Sequence, residues 1–232
     1  MAVKAAEDLT TAYAETRARI VELVTAPGVG LDAPVPATPE WRVRDVVAHL
    51  VGVCDDIASG NLEGVTTPPW TAKQVEKRKD ASIDALIEEW ARAAREVEAM
   101  IPMFPGHSGP QLVSDVVTHE HDLRGALGQP GARDSAATRV GVEFMVGWWM
   151  RHAVGRASLP TLLVDAGERQ WRSGDGEPAA TLRAEPFELM RAVTGRRSVA
   201  QVRNLDWSGD PEPYLATLEW GPFRPAETDL AE

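Results

Sequence analysis

The spacing of apolar residues changes near residue 156, and this change constrains the fold more than any other feature of the chain. Before it, apolar positions recur at helical spacing, and segments rich in Gly and Pro separate the helical stretches. After it, short runs bounded by turn residues are typical of strands. We therefore predict an α+β protein, with an up-down helical bundle over residues 1–156 and a small α+β domain over residues 157–232.

The predicted elements follow from the same pattern. The bundle helices are expected over residues 4–26, in the stretch after Trp41, and over residues 72–101, 111–127 and 135–155. The second part is expected to hold strands at 159–165, 169–173 and 179–184 and a helix at 186–193. No internal repeat interrupts this order.

Composition excludes several classes of function. The formal net charge is −11 and no long Lys/Arg cluster exists, so nucleic acid is not an expected partner. No apolar run reaches the roughly 18 residues of a membrane span, and the N-terminal stretch has the charge pattern of a helix and not of a signal peptide. The single cysteine, Cys54, rules out a disulfide framework within one chain and favours a cytoplasmic location.

A polar stripe marks the fourth predicted helix. Asp115 and His119 are four residues apart and therefore share a helix face, and Asp122 continues the stripe, whereas Glu120 and His121 point elsewhere. Apolar residues flank the stripe, so burying it without a partner would be costly. His49 repeats the theme on the second helix, among Val and Leu residues.

Two imidazoles and a carboxylate are good ligands for a first-row metal, and three protein ligands leave a coordination position open. We predict that His49, Asp115 and His119 bind a divalent ion and that Asp45 or Asp122 orients a ligating imidazole. The alternative is a pair of hydrogen-bonded core histidines, because spacing alone does not bring the second helix against the fourth.

Five segments of the chain carry a family resemblance. PEWRVRDVVAHL (39–50) and DVVTHEHDLRGALGQPG (115–131) resemble the two signatures of the mycothiol-dependent maleylpyruvate isomerase family, a branch of the DinB-like metal-binding bundles. In the C-terminal part, LVDAGERQWRSG (163–174), PFELMRAVTGRRS (186–198) and LDWSGD (205–210) are similar to that family's domain resembling sterol-carrier proteins. The resemblance spans nearly the whole chain.

The resemblance implies that His49, the acidic residue at 115 and His119 bind a divalent ion, typically zinc, and that mycothiol is the thiol cosubstrate. Two residues depart from the family pattern: Asp115 stands where Glu is usual, and Arg42 replaces the usual Ser or Thr at the start of the second helix. Mycothiol is the small thiol of actinobacteria, whose GC-rich genomes agree with the 20 Arg and 4 Lys of this chain.

A metal with an open position can hold a thiol as its nucleophilic thiolate. Cys54 is a weak candidate for that thiol, because it falls on a different helix face from His49 and is expected to pack in the core. An acidic substrate would need cationic or aromatic neighbours. The candidates, each with a plain surface or core role as the alternative, are Arg124, Arg151, Arg196, Arg197 and Trp148. Trp149 adjoins Trp148, and one of the two is expected to face the core.

The predicted function is therefore a metal- and mycothiol-dependent isomerase or S-transferase that acts on a small, electrophilic, acidic substrate. One alternative is a metal-binding or stress-response module without turnover. Another is a specialised biosynthetic enzyme that reuses the fold. Small molecules are the expected partners in each case, and the sequence leaves the oligomeric state open.

Overall fold

The computed structural model describes residues 2–232, with side chains given for residues 8–148 and 150–232. Its α-helices are α1 (Ala2–Thr25), α2 (Val43–Ser59), α3 (Pro68–Arg78), α4 (Ile83–Met100), α5 (Ser108–Ala126), α6 (Ala136–Phe144), α7 (Arg151–Arg156), α8 (Pro186–Val193), α9 (Val199–Arg203) and α10 (Glu212–Leu215). Its strands are β1 (Leu162–Asp165), β2 (Gln170–Arg172), β3 (Ala180–Arg183) and β4 (Asp206–Ser208). The predicted α+β class is confirmed. Within residues 2–232, no helix is both long and apolar enough to cross a bilayer.

The first compact unit runs to Gly131 and includes Glu232. In it, α2 packs against α4 and α5, and α1 packs against the same two helices, so that α1, α2, α4 and α5 enclose a common core. Most of α2 is buried from Val43 to Cys54, as its broad apolar face predicts. Deep in this core the indole of Trp90 donates a 3.1 Å hydrogen bond to the hydroxyl of Tyr13.

The helix predicted over residues 72–101 is wrong in one respect, because the structure divides it. Helix α3 begins at the Pro68–Pro69 pair, where a missing N–H costs nothing, and it ends before Ser82. The Ser82 hydroxyl then accepts a hydrogen bond from the Ala85 N–H and caps α4. The break lets α3 lie against α2 while α4 packs in the bundle.

Glu120 on α5 is fully buried and lies between two arginines. Arg19 of α1 donates to both of its carboxylate oxygens, at 2.8 and 2.7 Å, and Arg124 donates two more hydrogen bonds at 3.0 and 2.9 Å. The buried charge is therefore paired on both sides, and the pair with Arg19 joins α1 to α5.

The second compact unit covers Ala132–Ala231 and contains a sheet in the order β2-β1-β3-β4. Strands β1 and β3 are parallel, and the two outer pairs are antiparallel. Helix α8 packs against α6 and against the turn of π-helix at Met145–Met150 that links α6 to α7. A smaller apolar cluster joins α8 to α9 and α10 through Ala192, Val202, Leu215 and Leu218.

The contacts of the chain divide it at Gly131, before the predicted boundary near residue 156. The reason is that α6 and the π-helical turn pack against α8 and so belong, by contacts, to the second unit. The three strands expected from the sequence form, each slightly shorter than predicted, and β4 joins them as a fourth. The boundary at residue 156 as a limit between domains stays a prediction.

Candidate metal centre

Two neighbouring helices of the bundle carry the predicted ligands. His49 lies at the middle of α2, and Asp115 and His119 lie one turn apart on α5. Both imidazoles are buried, whereas a third of the Asp115 side chain is exposed. Because α2 packs against α5, the two histidine faces meet inside the bundle. The cluster is therefore closed at the imidazoles and open on the side of the carboxylate.

The ligand atoms converge. Oδ1 of Asp115 lies 3.7 Å from Nε2 of His49 and 3.8 Å from Nε2 of His119, and one ligand atom from each residue lies within 4.8 Å of the others. The two imidazole rings meet edge to face, with centroids 5.0 Å apart. Among the described residues, these are the His, Cys, Asp and Glu side chains that come together closely enough to share an ion.

Each imidazole has its other nitrogen engaged. Nδ1 of His119 lies 2.9 Å from Oδ2 of Asp122, and Nδ1 of His49 lies 2.9 Å from Oε1 of Gln74. Both partners are oxygen acceptors, so each Nδ1 donates and carries the proton. A neutral imidazole protonated at Nδ1 has its lone pair at Nε2, which is the atom that faces Asp115.

Burial also favours the neutral form of His119. Removing the ring from water lowers the pKa of His119 below its ordinary 6.5, because an imidazolium is costly to bury. The hydrogen bond to Asp122 and the negative charges of Asp122 and Asp115 act in the opposite direction and are weaker in sum. At neutral pH the ring is therefore ready to act as a ligand.

Trp41 forms one wall of the cluster. Its ring centroid lies 5.1 Å from that of His49 and 6.0 Å from that of His119, and both pairs are tilted. The residue stands in the loop before α2 and is half-buried. An aromatic face beside two imidazoles lowers the local polarity and shields the cluster from water on that side.

The three side chains fit a divalent ion. Two imidazole nitrogens and one carboxylate oxygen suit zinc and its first-row neighbours. With metal–ligand bonds of about 2.1 Å, two ligands of a tetrahedral ion lie about 3.4 Å apart. The two separations from Asp115, 3.7 and 3.8 Å, are only slightly longer, and all three ligand atoms lie within 4.8 Å of one another, so side-chain rotations would complete the site. Asp115 reaches this position although it is shorter than glutamate.

Of the two residues predicted to orient an imidazole, Asp122 and Asp45, one lies against a histidine and the other is bonded elsewhere. Asp122 contacts His119, as described. The carboxylate of Asp45 instead accepts a 2.9 Å hydrogen bond from the backbone N–H of Arg42 and so stabilises the start of α2. The partner of His49 is Gln74 on α3, which the sequence reasoning missed. A usable signal existed, because Trp70, Gln74 and Arg78 follow one another at four-residue intervals and form the buried face of α3.

The residues suggested for substrate binding are scattered over both units. In the first unit, Arg124 donates two hydrogen bonds to Glu120, at 3.0 and 2.9 Å. In the second unit, Arg196 is buried and donates to the Thr194 carbonyl at 2.6 Å, and Arg151 is exposed at the start of α7. Trp148 stacks on Phe144 with ring centroids 5.7 Å apart.

The sequence singles out three further residues, namely Arg197, His121 and Trp149. Arg197 pairs with Glu188 at 2.8 Å in the second unit. His121, which the helix spacing turns away from the polar stripe of Asp115 and His119, is buried. The side chain of Trp149 lies outside the described residues. The substrate-binding roles of Arg124, Arg151, Arg196 and Trp148 stay predictions.

Cys54 is fully buried in α2, and its thiol interacts with the Tyr13 hydroxyl. Burial raises the pKa of Cys54 to about 11. Its predicted place in the core is confirmed. A thiol with so high a pKa is not ionised at neutral pH and is a poor nucleophile.

Comparison with known proteins agrees with this fold. The sequence model of the mycothiol maleylpyruvate isomerase N-terminal domain matches residues 10–157, so the chain belongs to that family. Similar solved structures include the mycothiol-dependent maleylpyruvate isomerase and its variant with a histidine replaced by alanine, with TM-scores of 0.55 and 0.59. Each is 10% identical, and each alignment covers 82% of this chain and 89% of the other, which shows a shared fold. Curated proteins give no significant match.

Proposed function

We propose that His49, Asp115 and His119 hold a divalent ion, zinc in the first instance, and that the chain is a mycothiol-dependent enzyme. The reaction class is isomerisation, for which the family is named, or transfer of the thiol sulfur to a small acidic electrophile. One observation carries the proposal: two Nε2 lone pairs and one carboxylate oxygen converge, and each Nδ1 is held by its own acceptor.

The ion would supply one piece of chemistry, which is to lower the pKa of a thiol that reaches its open coordination position. The protein residues do the rest. His49 and His119 are oriented by the hydrogen bonds of their Nδ1 atoms, and burial favours the neutral form of His119. Trp41 shields the cluster from water on one side, and the exposed edge of Asp115 marks the side from which a small molecule would enter.

The reacting thiol has to come from outside the chain. Cys54 is the single cysteine of the sequence, it is fully buried, and burial raises its pKa to about 11. No thiol of the protein can therefore act as the nucleophile near neutral pH. This agrees with mycothiol as a cosubstrate, and with the cytoplasm of a mycothiol-containing bacterium as the place where the enzyme would work.

The test combines metal analysis with turnover. Purified wild-type protein is expected to contain about one divalent ion per chain and to isomerise maleylpyruvate only when mycothiol is added. His119→Ala should lose both the ion and the activity. His107→Ala is the matched control, because it removes an exposed imidazole at the start of the same helix and should leave both unchanged.

Each opposing result has a clear meaning. A metal-free wild type with His49→Ala indistinguishable from it would overturn the metal site. Metal binding without turnover across a panel of thiols and electrophiles would replace the enzyme by a metal-binding module. Turnover of another electrophile with mycothiol, but not of maleylpyruvate, would retain the thiol chemistry and change the substrate.

A further inference from the structure

A buried glutamine connects α3 to the candidate metal centre. The Gln74 side chain is almost completely buried, and it bridges two residues of α2 that are two turns apart. Its Oε1 lies 2.9 Å from Nδ1 of His49, and its Nε2 donates to Oδ2 of Asp56 at 2.8 Å. The three side chains therefore form one continuous chain of hydrogen bonds.

The direction of this chain is set by Asp56. An ionised carboxylate only accepts hydrogen bonds, so it can pair with the NH₂ end of the glutamine amide and not with its oxygen. The other oxygen of Asp56 accepts a 2.8 Å hydrogen bond from Asn61, which holds the carboxylate in place. With Nε2 turned to Asp56, Oε1 must face His49 and requires a proton on Nδ1 of that ring.

Gly52 makes room for the bridge. A Cβ atom at residue 52 would lie 2.4 Å from Cβ and 2.6 Å from Cγ of Gln74, closer than real atoms approach. The missing side chain thus lets α3 come against α2 one turn after His49. Arg78 secures this approach from the same face of α3, through ion pairs to Asp55 at 2.9 Å and Glu89 at 2.6 Å.

We propose that Gln74 and Asp56 are positioning residues that fix His49 in the form protonated at Nδ1, leaving Nε2 to face Asp115 and His119. The role toward a metal rests on the proposed function, whereas the proton position on His49 does not. If the amide were reversed, its NH₂ group would face His49, the ring proton would move to Nε2, and that atom could no longer act as a ligand.

The decisive experiment reads the ring proton directly. Long-range ¹⁵N–¹H correlation spectra of the metal-free full chain, recorded near pH 8, should show His49 protonated at Nδ1 in the wild type. Gln74→Leu and Asp56→Ala should each lose this single form and show exchange between the two. Gln129→Leu is the matched control, since it makes the same change at an exposed position after α5 and should leave the His49 signals unchanged.

Exchanging the amide and the carboxylate between positions 74 and 56 should restore the Nδ1–H form of His49. In the double variant Gln74→Glu with Asp56→Asn, the asparagine amide can donate to one glutamate oxygen while the other accepts from His49, so the net charge is kept and the Nδ1–H form should return. Gln74→Glu alone places two carboxylates together, so its His49 signals should differ from those of the wild type. Recovery in the double variant would show that positions 74 and 56 tolerate substitution when the hydrogen-bond chain is kept.

Metal affinity provides a second readout. Competition with a chelator should show zinc bound about 10- to 100-fold more weakly by Gln74→Leu than by wild type. Unchanged His49 proton positions in both single variants would overturn the positioning role, whatever the affinity. A wild type that binds no zinc but shows the expected His49 form, lost in Gln74→Leu, would support the positioning role and reject the proposed metal site.

Discussion

Oδ1 of Asp115 lies 3.7 Å from Nε2 of His49, so a carboxylate on α5 faces an imidazole on α2 across the helix interface. The same oxygen lies 3.8 Å from Nε2 of His119 on its own helix. Asp115 thus connects two imidazoles that reach the cluster from different helices.

The first prediction concerns this carboxylate. Asp115→Asn keeps the size of the side chain but removes its charge, and zinc affinity should fall by about 100-fold or more, since a direct ligand matters at least as much as the residues that orient it. Asp115→Glu keeps a carboxylate and should retain tight binding. Isothermal titration of metal-free protein measures both. Equal affinities for wild type and Asp115→Asn would remove Asp115 from the ligand set.

The second prediction is a pH dependence of stability in the metal-free protein. Burial lowers the pKa of His119 below 6.5, so in acid the unfolded chain takes up a proton that the folded chain resists. The contribution of His119 is therefore complete above about pH 6.5 and is lost as the pH falls below it. Thermal unfolding between about pH 7.5 and 5.5 should show the midpoint decreasing. His119→Gln should flatten the profile over this window, and a variant as steep as the wild type would contradict the assignment.

The third prediction concerns Cys54. With a pKa of about 11, roughly one thiol in a thousand is ionised at pH 8, and the side chain is also buried. Iodoacetamide should leave the native protein unlabelled and modify one thiol per chain in denaturant, as mass spectrometry would show. Cys54→Ala should retain mycothiol-dependent turnover. Rapid labelling of the native protein would mean that this part of α2 opens.

The fourth prediction compares two glycines. Gly52→Ala forces a methyl group against Gln74 and should lower the free energy of unfolding by about 1–3 kcal/mol. Gly155→Ala, in α7, meets no atom within 4 Å and should be neutral or stabilising by up to about 1 kcal/mol. Urea unfolding of the two variants gives the comparison. Similar values for both would show that α3 can move away from α2 at little cost.

The fifth prediction concerns the buried glutamate. Glu120→Gln removes the charge between Arg19 and Arg124, both of which are largely buried, and should cost about 2–4 kcal/mol of stability. Glu76→Gln is the matched control: its pair with Lys79 is exposed, and the change should leave the free energy of unfolding almost unchanged. Chemical denaturation would distinguish them, and equal losses would mean that burial adds nothing to the pair.

The three candidate ligands could be predicted from the sequence because the patterns that mark them are local. Asp115 and His119 share a helix face through their spacing, and His49 lies within an apolar run. What no local pattern contains is the packing of α2 against α5, which turns two separate polar positions into one cluster. The family motifs supplied that pairing indirectly.

Gln74 was not predicted as the partner of His49 from the sequence, for a different reason. Its neighbours Lys73, Glu76 and Lys77 make the stretch appear solvated, and the division of the helix at Ser82 is needed before α3 can pack on α2. The π-helical turn at Met145–Met150 was equally hidden, because a shift in backbone hydrogen bonding leaves the apolar spacing almost unchanged.

Trp41 and the three candidate ligands beside it lie on parts of the chain that differ in how freely they can change. The three candidate ligands stand on helices whose other faces fill the core, so their positions cannot change without repacking the bundle. The indole that covers them belongs to a loop, where substitution and insertion are tolerated far more readily. In such a scaffold, changes in the Trp41 loop can alter which molecules reach the candidate centre, while the three candidate ligands keep their positions.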